Sequence, residues 1–276
     1  MRSFKLPSGA EMPVFGIGTW RMGESPRRRD QELDAIRYAL EIGYPMIDTA
    51  EMYGEGEAEE IVGEAIKGRK QRPFIVSKVY PHNASLSGTV AACERSLRRL
   101  GVEHIDLYLL HWRGGSRLED TFAAFHKLKA AGKIGDFGVS HFDTDDMEDA
   151  ATVDKGQNGA NQVLYCLSRR GPEFDLIPWM RKRSIPLMAY SPLDQGGLLG
   201  KAALKKLAAE VKCTPAQLAL AWLLAQPGVV TIPKSSTRER MKENLGALDV
   251  KLSPAVLAEL DKAFPPPTGK QSLQML

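Results

Sequence analysis

Eight short apolar runs punctuate the chain: FGIGTW (15–20), YPMID (44–48), FIVSKV (74–79), IDLYLLH (105–111), IGDFGVS (134–140), ANQVL (160–164), IPLMAYS (185–191) and GVVTIP (228–233). They are near-continuously apolar rather than strictly alternating. That is expected of strands buried on both faces, as in a parallel sheet flanked by helices. The stretches between them carry a helical period. Leu33, Ile36, Arg37 and Leu40 follow it with Arg37 as the polar exception, and Ile61, Val62, Ala65 and Ile66 repeat the spacing. Val90, Cys93, Leu97 and Leu100 do the same, then Phe122, Phe125 and Leu128, and later Leu218, Trp222 and Ala225. Gly43 and Gly101 stand where a helix C-terminus calls for a residue in the left-handed conformation.

Eight strand–helix alternations without a break in composition predict one (β/α)₈ TIM barrel spanning residues 1–276 as a single domain. Ahead of the first strand, KLPSGAEMPV places PSG between two short apolar runs, which predicts an N-terminal β-hairpin capping the barrel bottom. A doubly wound dinucleotide-binding fold would show G-x-G-x-x-G after its first strand. Here Gly16 and Gly18 are followed by Trp20 and Arg21 with no third glycine in place, so that fingerprint is absent.

Composition adds little to this outline but narrows the partners. A hydrophobic share of 43% over 276 residues is enough to fill a sizeable core. The formal net charge of +3 gives no strong field for nucleic acid or an anionic membrane. Cys93, Cys166 and Cys213 form no CxxC pair, and an odd, sparse set argues for core-filling thiols in a reducing compartment. The N-terminal MRSFKLPSGAEMPVFGIG has no apolar signal core, and no apolar stretch is long enough to span a bilayer. The expectation is a cytoplasmic protein, a monomer rather than an oligomer, with a small-molecule partner and neither nucleic acid nor membrane.

In such a barrel the active site lies at the C-terminal ends of the strands. The residues there are Trp20, Asp48, Tyr53, Lys78, His111, Ser140, Gln162 and Tyr190. Four of these have mutually consistent chemistry. A free phenol titrates near about 10, too weak an acid to protonate an alkoxide efficiently at neutrality. A neighbouring ammonium lowers that value, which makes Lys78 the expected tuner of Tyr53. Asp48 would keep Lys78 charged, and His111 would orient a substrate carbonyl by hydrogen bonding. Any one of these residues alone reads equally well as a capping, core or loop residue; the joint pattern is what points to catalysis. None supplies a hydride, so a cofactor must.

The combination and order of GIGTW (16–20), IDTAEMYG (47–54), VSKV (76–79), LLHW (109–112), GVSHF (138–142), NQVLY (161–165), MAYSPL (188–193) and IPKSSTRERMKENL (232–245) resemble the aldo-keto reductase superfamily over nearly the full chain. TAEMYG, VSKVYPHNA, CERSLRRL and LDKAFPPPTGK are most similar to bacterial members that reduce methylglyoxal and related small aldehydes. The resemblance implies a catalytic tetrad of Asp48, Tyr53, Lys78 and His111. It implies NADPH/NADP+ as cofactor, with Ser140 and Gln162 on the nicotinamide carboxamide and Tyr190 stacked on its ring. Ser191 and Leu193 resemble the pyrophosphate contacts. Lys234, Ser235 and Arg240 match the positions that bind the adenosine 2′-phosphate, and Glu243 and Asn244 those that contact adenine. A guanidinium and an ammonium beside a helix start suit a terminal phosphate.

Three departures carry expectations of their own. His141 stands where the family usually has Asn, and a ring nitrogen there would replace the amide as donor to the carboxamide. Leu164 replaces the more frequent Glu of NQVEY. With only QSLQML beyond FPPPTGK, the short tail implies an open pocket of weak selectivity, walled by Trp20, Tyr80 and Trp112. The expected function is NADPH-dependent reduction of small aldehydes, 2-oxoaldehydes and some ketones. A nucleotide-sensing binding protein with little turnover is the alternative. A metal-dependent barrel hydrolase would need several strand-end histidines, and His111 is the one clearly there, so no metal is expected.

Overall fold

The structure, a computed structural model, describes residues 2–276. Strands β3 (Ile17–Gly18), β4 (Met46–Asp48), β5 (Phe74–Val79), β6 (Ile105–Leu110), β7 (Ile134–Ser140), β8 (Asn158–Leu164), β9 (Leu187–Tyr190) and β10 (Val229–Thr231) form one parallel sheet in chain order. Parallel bridges Phe15↔Thr231 and Gly18↔Lys234 join its two edges and close the barrel. This is the predicted (β/α)₈ architecture.

The first strand is shorter than the predicted 15–20 because its backbone is shared between two neighbours. Gly18 pairs with Asp48 on one side, and a Cβ on Gly18 would lie 2.9 Å from the Ile232 carbonyl oxygen on the other. Glycine permits that close approach. β8, in contrast, starts two residues earlier than predicted.

Helices α1 (Arg29–Glu41), α2 (Glu57–Ile66), α3 (Leu86–Leu100) and α4 (Leu118–Ala130) follow β3 to β6 and bury the apolar stripes read from the sequence. α5 (Thr144–Val153) and α6 (Leu176–Lys182) follow β7 and β8. Between β9 and β10 lie two helices, α7 (Ala202–Val211) and α8 (Pro215–Ala225), and after β10 come α9 (Arg238–Leu245) and α10 (Pro254–Ala263). Residues Leu218 to Leu224 of α8 are all buried, so this helix is packed on every side, whereas Ala225 stands exposed at its end.

The predicted hairpin is present as antiparallel β1 (Ser3–Lys5) and β2 (Glu11–Pro13). Leu6 and Met12 from it join Met46, Val76, Leu107, Leu109, Ala160, Met188, Val230 and Ile232 in a cluster inside the barrel. Ser8 donates to both carboxylate oxygens of Asp136 near the start of β7. The hairpin thus plugs the end opposite the strand C-termini. The three cysteines are free, and burial pushes the Cys93 thiol up to about 12, consistent with packing rather than reactivity. Among the described residues, no helix is long and apolar enough to cross a membrane.

Candidate active site

Side chains alternate across a strand with period two, so the barrel-filling residues fix which later residues also point inward. Met46, Val76, Leu109, Ala160, Met188 and Ile232 fill the interior. Two positions further on stand Asp48, Lys78, His111, Gln162, Tyr190 and Lys234. The same phase that builds the core therefore brings six polar groups from six segments to one end of the barrel.

At the centre is the Lys78 ammonium, fully buried. It donates to Asp48 Oδ2 at 2.8 Å, to the Thr49 carbonyl at 2.8 Å and to the Tyr53 hydroxyl at 3.2 Å. Its three N–H groups are thereby all satisfied. The other Asp48 oxygen accepts from Gln162 Nε2 at 2.8 Å, a contact the sequence did not suggest. Tyr53 opens the turn Tyr53–Gly56, in which Gly54, Glu55 and Gly56 all have positive φ. Gly54 is required there, since a Cβ would lie 2.9 Å from the Met22 carbonyl oxygen. The His111 ring meets Tyr53 edge-on, with centroids 5.6 Å apart.

Electrostatics differ from the sequence expectation at Tyr53. Burial first, then the Asp48 carboxylate, holds the phenol well above its ordinary value. Burial dominates even with the Lys78 ammonium 3.2 Å away, and the expected lowering is absent. Tyr53 therefore stays protonated through the neutral range. Burial also lowers Lys78, against the pull of Asp48. Burial, followed by Lys78 and His141, drops His111 well below the usual imidazole range, so it is neutral.

Trp20, Trp112, Tyr53, His111, His141 and Tyr190 line a cleft of about 220 Å³. Met52 and, from the chain's last residues, Met275 and Leu276 complete its wall. The tail therefore lies against one side of the site, although Met275 and Leu276 are themselves more than half exposed. Tyr80 is not part of the wall: its ring packs edge-on behind Trp112 at 5.1 Å.

Through shared Trp20, Ser191 and Lys234, the cleft continues into a channel of about 690 Å³. Leu193, Arg240, Glu243 and Asn244 line it, joined by Arg21, Gln195 and Gly196, which the sequence did not single out. Two of the expected contact residues also hydrogen-bond to backbone. Ser140 is fully buried and donates to the Gln162 backbone carbonyl at 2.8 Å, and Ser235 lies buried with its hydroxyl accepting from the Thr237 N–H at 3.3 Å. Neither lines the cleft or channel. Leu164 is buried, in register with Tyr190. His141 also departs from expectation. Its Nδ1 faces the His111 carbonyl, so the nitrogen turned to the cleft is an acceptor in the neutral ring rather than a donor. Among the described residues, no group of three or more His, Cys, Asp or Glu side chains is arranged to hold a metal.

A parallel barrel with this side-chain cluster at its strand C-termini defines a class, and residues 14–264 match the Aldo/keto reductase family, to which the chain belongs. Methylglyoxal reductase YeaE of Escherichia coli (strain K12) is 47% identical over 281 residues, covering 100% of this chain and 99% of that protein. Glyoxal reductase of Bacillus subtilis (strain 168) is 36% identical over 93% of this chain and 91% of its own length. The fold is also similar to the crystal structure of an aldo-keto reductase from Klebsiella pneumoniae in complex with NADPH. The TM-score there is 0.95 at 45% identity, covering 100% of this chain and 99% of that one.

Proposed function

We propose that the chain is a single reductase unit that converts small aldehydes, 2-oxoaldehydes of the methylglyoxal kind and some ketones to alcohols, using NADPH. The observation that carries the reading is the buried Lys78 ammonium, within hydrogen-bonding distance of both Asp48 and the Tyr53 hydroxyl at the floor of the cleft. The names of the E. coli and B. subtilis relatives support the substrate class, and the NADPH complex of the K. pneumoniae protein supports the cofactor.

The channel fits that cofactor. Arg21, Lys234 and Arg240 line it, and none of the three forms an ion pair among the described residues. Uncompensated cations along one groove suit a phosphorylated ligand. Lys234 and Arg240 would hold the 2′-phosphate, Glu243 and Asn244 the adenine, and Ser191 and Leu193 the pyrophosphate, while Gln162 and Tyr190 would face the nicotinamide. When bound, NADPH supplies the hydride to the carbonyl carbon.

The chain's own groups manage the other charge. Neutral His111 orients the carbonyl oxygen, and the Tyr53 hydroxyl gives that oxygen its proton. Lys78, 3.2 Å away, stabilises the phenolate left behind, and Asp48 and Thr49 keep the ammonium in place. Trp20, Trp112 and Met52 turn apolar surface toward the reacting groups. The three free cysteines fit action in a reducing cytoplasm.

NADPH oxidation with methylglyoxal tests the reading. In Tyr53→Phe, kcat should fall by about 10²–10⁴, the range general acid catalysis supplies, while NADPH affinity is retained. Unchanged turnover in the folded variant would remove Tyr53 as the proton donor.

A further inference from the structure

His141 holds an unusual position. It is a non-glycine residue with φ 57° directly after β7, and its backbone N–H is tied to the Gln162 carbonyl at 2.9 Å. Its ring lies between two fixed partners. Nδ1 is 3.0 Å from the His111 backbone carbonyl, which can only accept. Nδ1 is also 3.1 Å from Ser140 Oγ, whose own hydrogen goes to the Gln162 carbonyl. Both neighbours therefore require a hydrogen on Nδ1. In the neutral ring Nε2 is then a bare lone pair, and it sits 2.9 Å from the Tyr190 hydroxyl. The polarity of the whole chain follows: Tyr190 O–H donates to His141 Nε2, and His141 Nδ1–H donates to the His111 carbonyl. The two rings meet at 5.0 Å and 57°.

We propose that His141 is a positioning residue that clamps the Tyr190 ring and makes this wall of the cleft accept hydrogen bonds without donating any. Among the described residues, the other group at its hydroxyl is the backbone N–H of Leu276. Without His141 its ring, half-buried at the end of β9, would keep its packing and the Leu276 backbone contact but lose its one side-chain hydrogen bond. The proposal rests on the reading of Tyr190 as the surface against which the nicotinamide lies, and extends it. Fixing that ring sets the plane of a flat ligand before it binds. An Asn at position 141 would present a donor as well as an acceptor, and its shorter side chain would not carry the same fixed link from Tyr190 to the His111 backbone. His141 thus acts on the cofactor through Tyr190, and its burial keeps the ring in the neutral form that the wiring needs.

Two measurements test this. In the protein without cofactor, nitrogen-15 NMR of the histidine rings should show His141 as the Nδ1–H tautomer; an Nε2–H tautomer overturns the proposal. Equilibrium binding of NADPH, followed by fluorescence, is then compared for His141→Ala, Tyr190→Phe and the double variant, with circular dichroism confirming that each is folded. His141→Ala should weaken binding about fivefold; Tyr190→Phe, which also loses the Leu276 contact, should weaken it at least as much, and the double variant no more than Tyr190→Phe alone. Losses that multiply to roughly twenty-five-fold, or a His141→Ala variant that binds as tightly as wild type, overturn it. Should His141→Ala not fold, His141→Gln, which keeps an acceptor at similar reach, must bind like wild type while His141→Leu binds less tightly; equal binding by the two sinks the idea. A wild-type protein that bound no NADPH would instead overturn the proposed function, and the tautomer would still decide the role of His141.

Discussion

Lys78 is the residue on which the site's charge balance turns. It is buried, and its three donors reach Asp48, Thr49 and Tyr53. Lys78→Met fills the same volume but leaves the Asp48 carboxylate buried without its cation. Breaking a buried pair on one side costs about 3–5 kcal/mol, and denaturant unfolding should show a loss of that size, with partial recovery when Asp48→Asn is added. The two site histidines set a pH dependence of stability. Burial lowers both His111 and His141 below the ordinary imidazole value of 6.5. Below that value the unfolded chain binds protons that the folded chain refuses, so stability falls as pH drops toward the folded values. The slope is about 1.4 kcal/mol per pH unit for each ring. Above the ordinary value neither contributes. Unfolding free energies measured across mildly acidic pH should flatten when both residues are replaced by Asn.

At the scale of elements, α8 shows how a buried helix positions a distant part of the site. Thr214 caps it, accepting from the Gln217 N–H while the Gln217 side chain accepts from the Thr214 N–H, and Pro215 occupies the first turn. This capping box is spelled in the sequence as TPAQ. Gln217 Nε2 also donates to the Glu243 carbonyl at 3.0 Å and so ties α8 to α9, which carries Arg240, Glu243 and Asn244. Thr214→Ala should lower thermal stability by about 1 kcal/mol and leave NADPH affinity unchanged. Gln217→Ala should lower both, because the α9 end of the channel loses its anchor. The inner phase of each strand was not legible in the same way, because the runs are apolar on both faces and only the packed core shows which residues point inward. The limits of β3 were not legible either, because its backbone is shared with residues more than two hundred positions away.

The whole molecule decides where the tail meets the cleft. Arg170, largely buried, binds Glu173, Asp261 and the Phe264 carbonyl, and fastens α10 to the segment after β8. Further on, Lys270 reaches Asp145 at 3.1 Å and Arg169 reaches Gln274 at 3.0 Å. This path lays Met275 and Leu276 on the cleft wall. Removing residues 271–276 should raise kcat/KM for bulky aldehydes relative to methylglyoxal by roughly tenfold, the scale at which apolar pocket walls discriminate. NADPH affinity should be unaffected. Steady-state kinetics over an aldehyde size series would check this, and an unchanged preference would mean that the tail does not shape selectivity.

The sequence by itself determined the barrel and the plugging hairpin, and it put Trp20, Asp48, Lys78, His111, Ser140, Gln162 and Tyr190 at the strand ends, because apolar runs and their limits are local properties; Lys234 was read only through the family resemblance. Tyr53 was legible too, as the phenol in the loop that leaves Asp48. The tertiary structure alone decided which partners those residues have. Gln162 reaches Asp48 across 114 positions of chain, His141 turns its lone pair to Tyr190, and Tyr80 withdraws behind Trp112. Ser140 and Ser235 give their hydroxyls to the backbone, and the tail comes to rest against one side of the cleft. Each of these outcomes depends on how closely two remote segments approach, and a donor's choice among acceptors is settled by tenths of an ångström that no local pattern encodes.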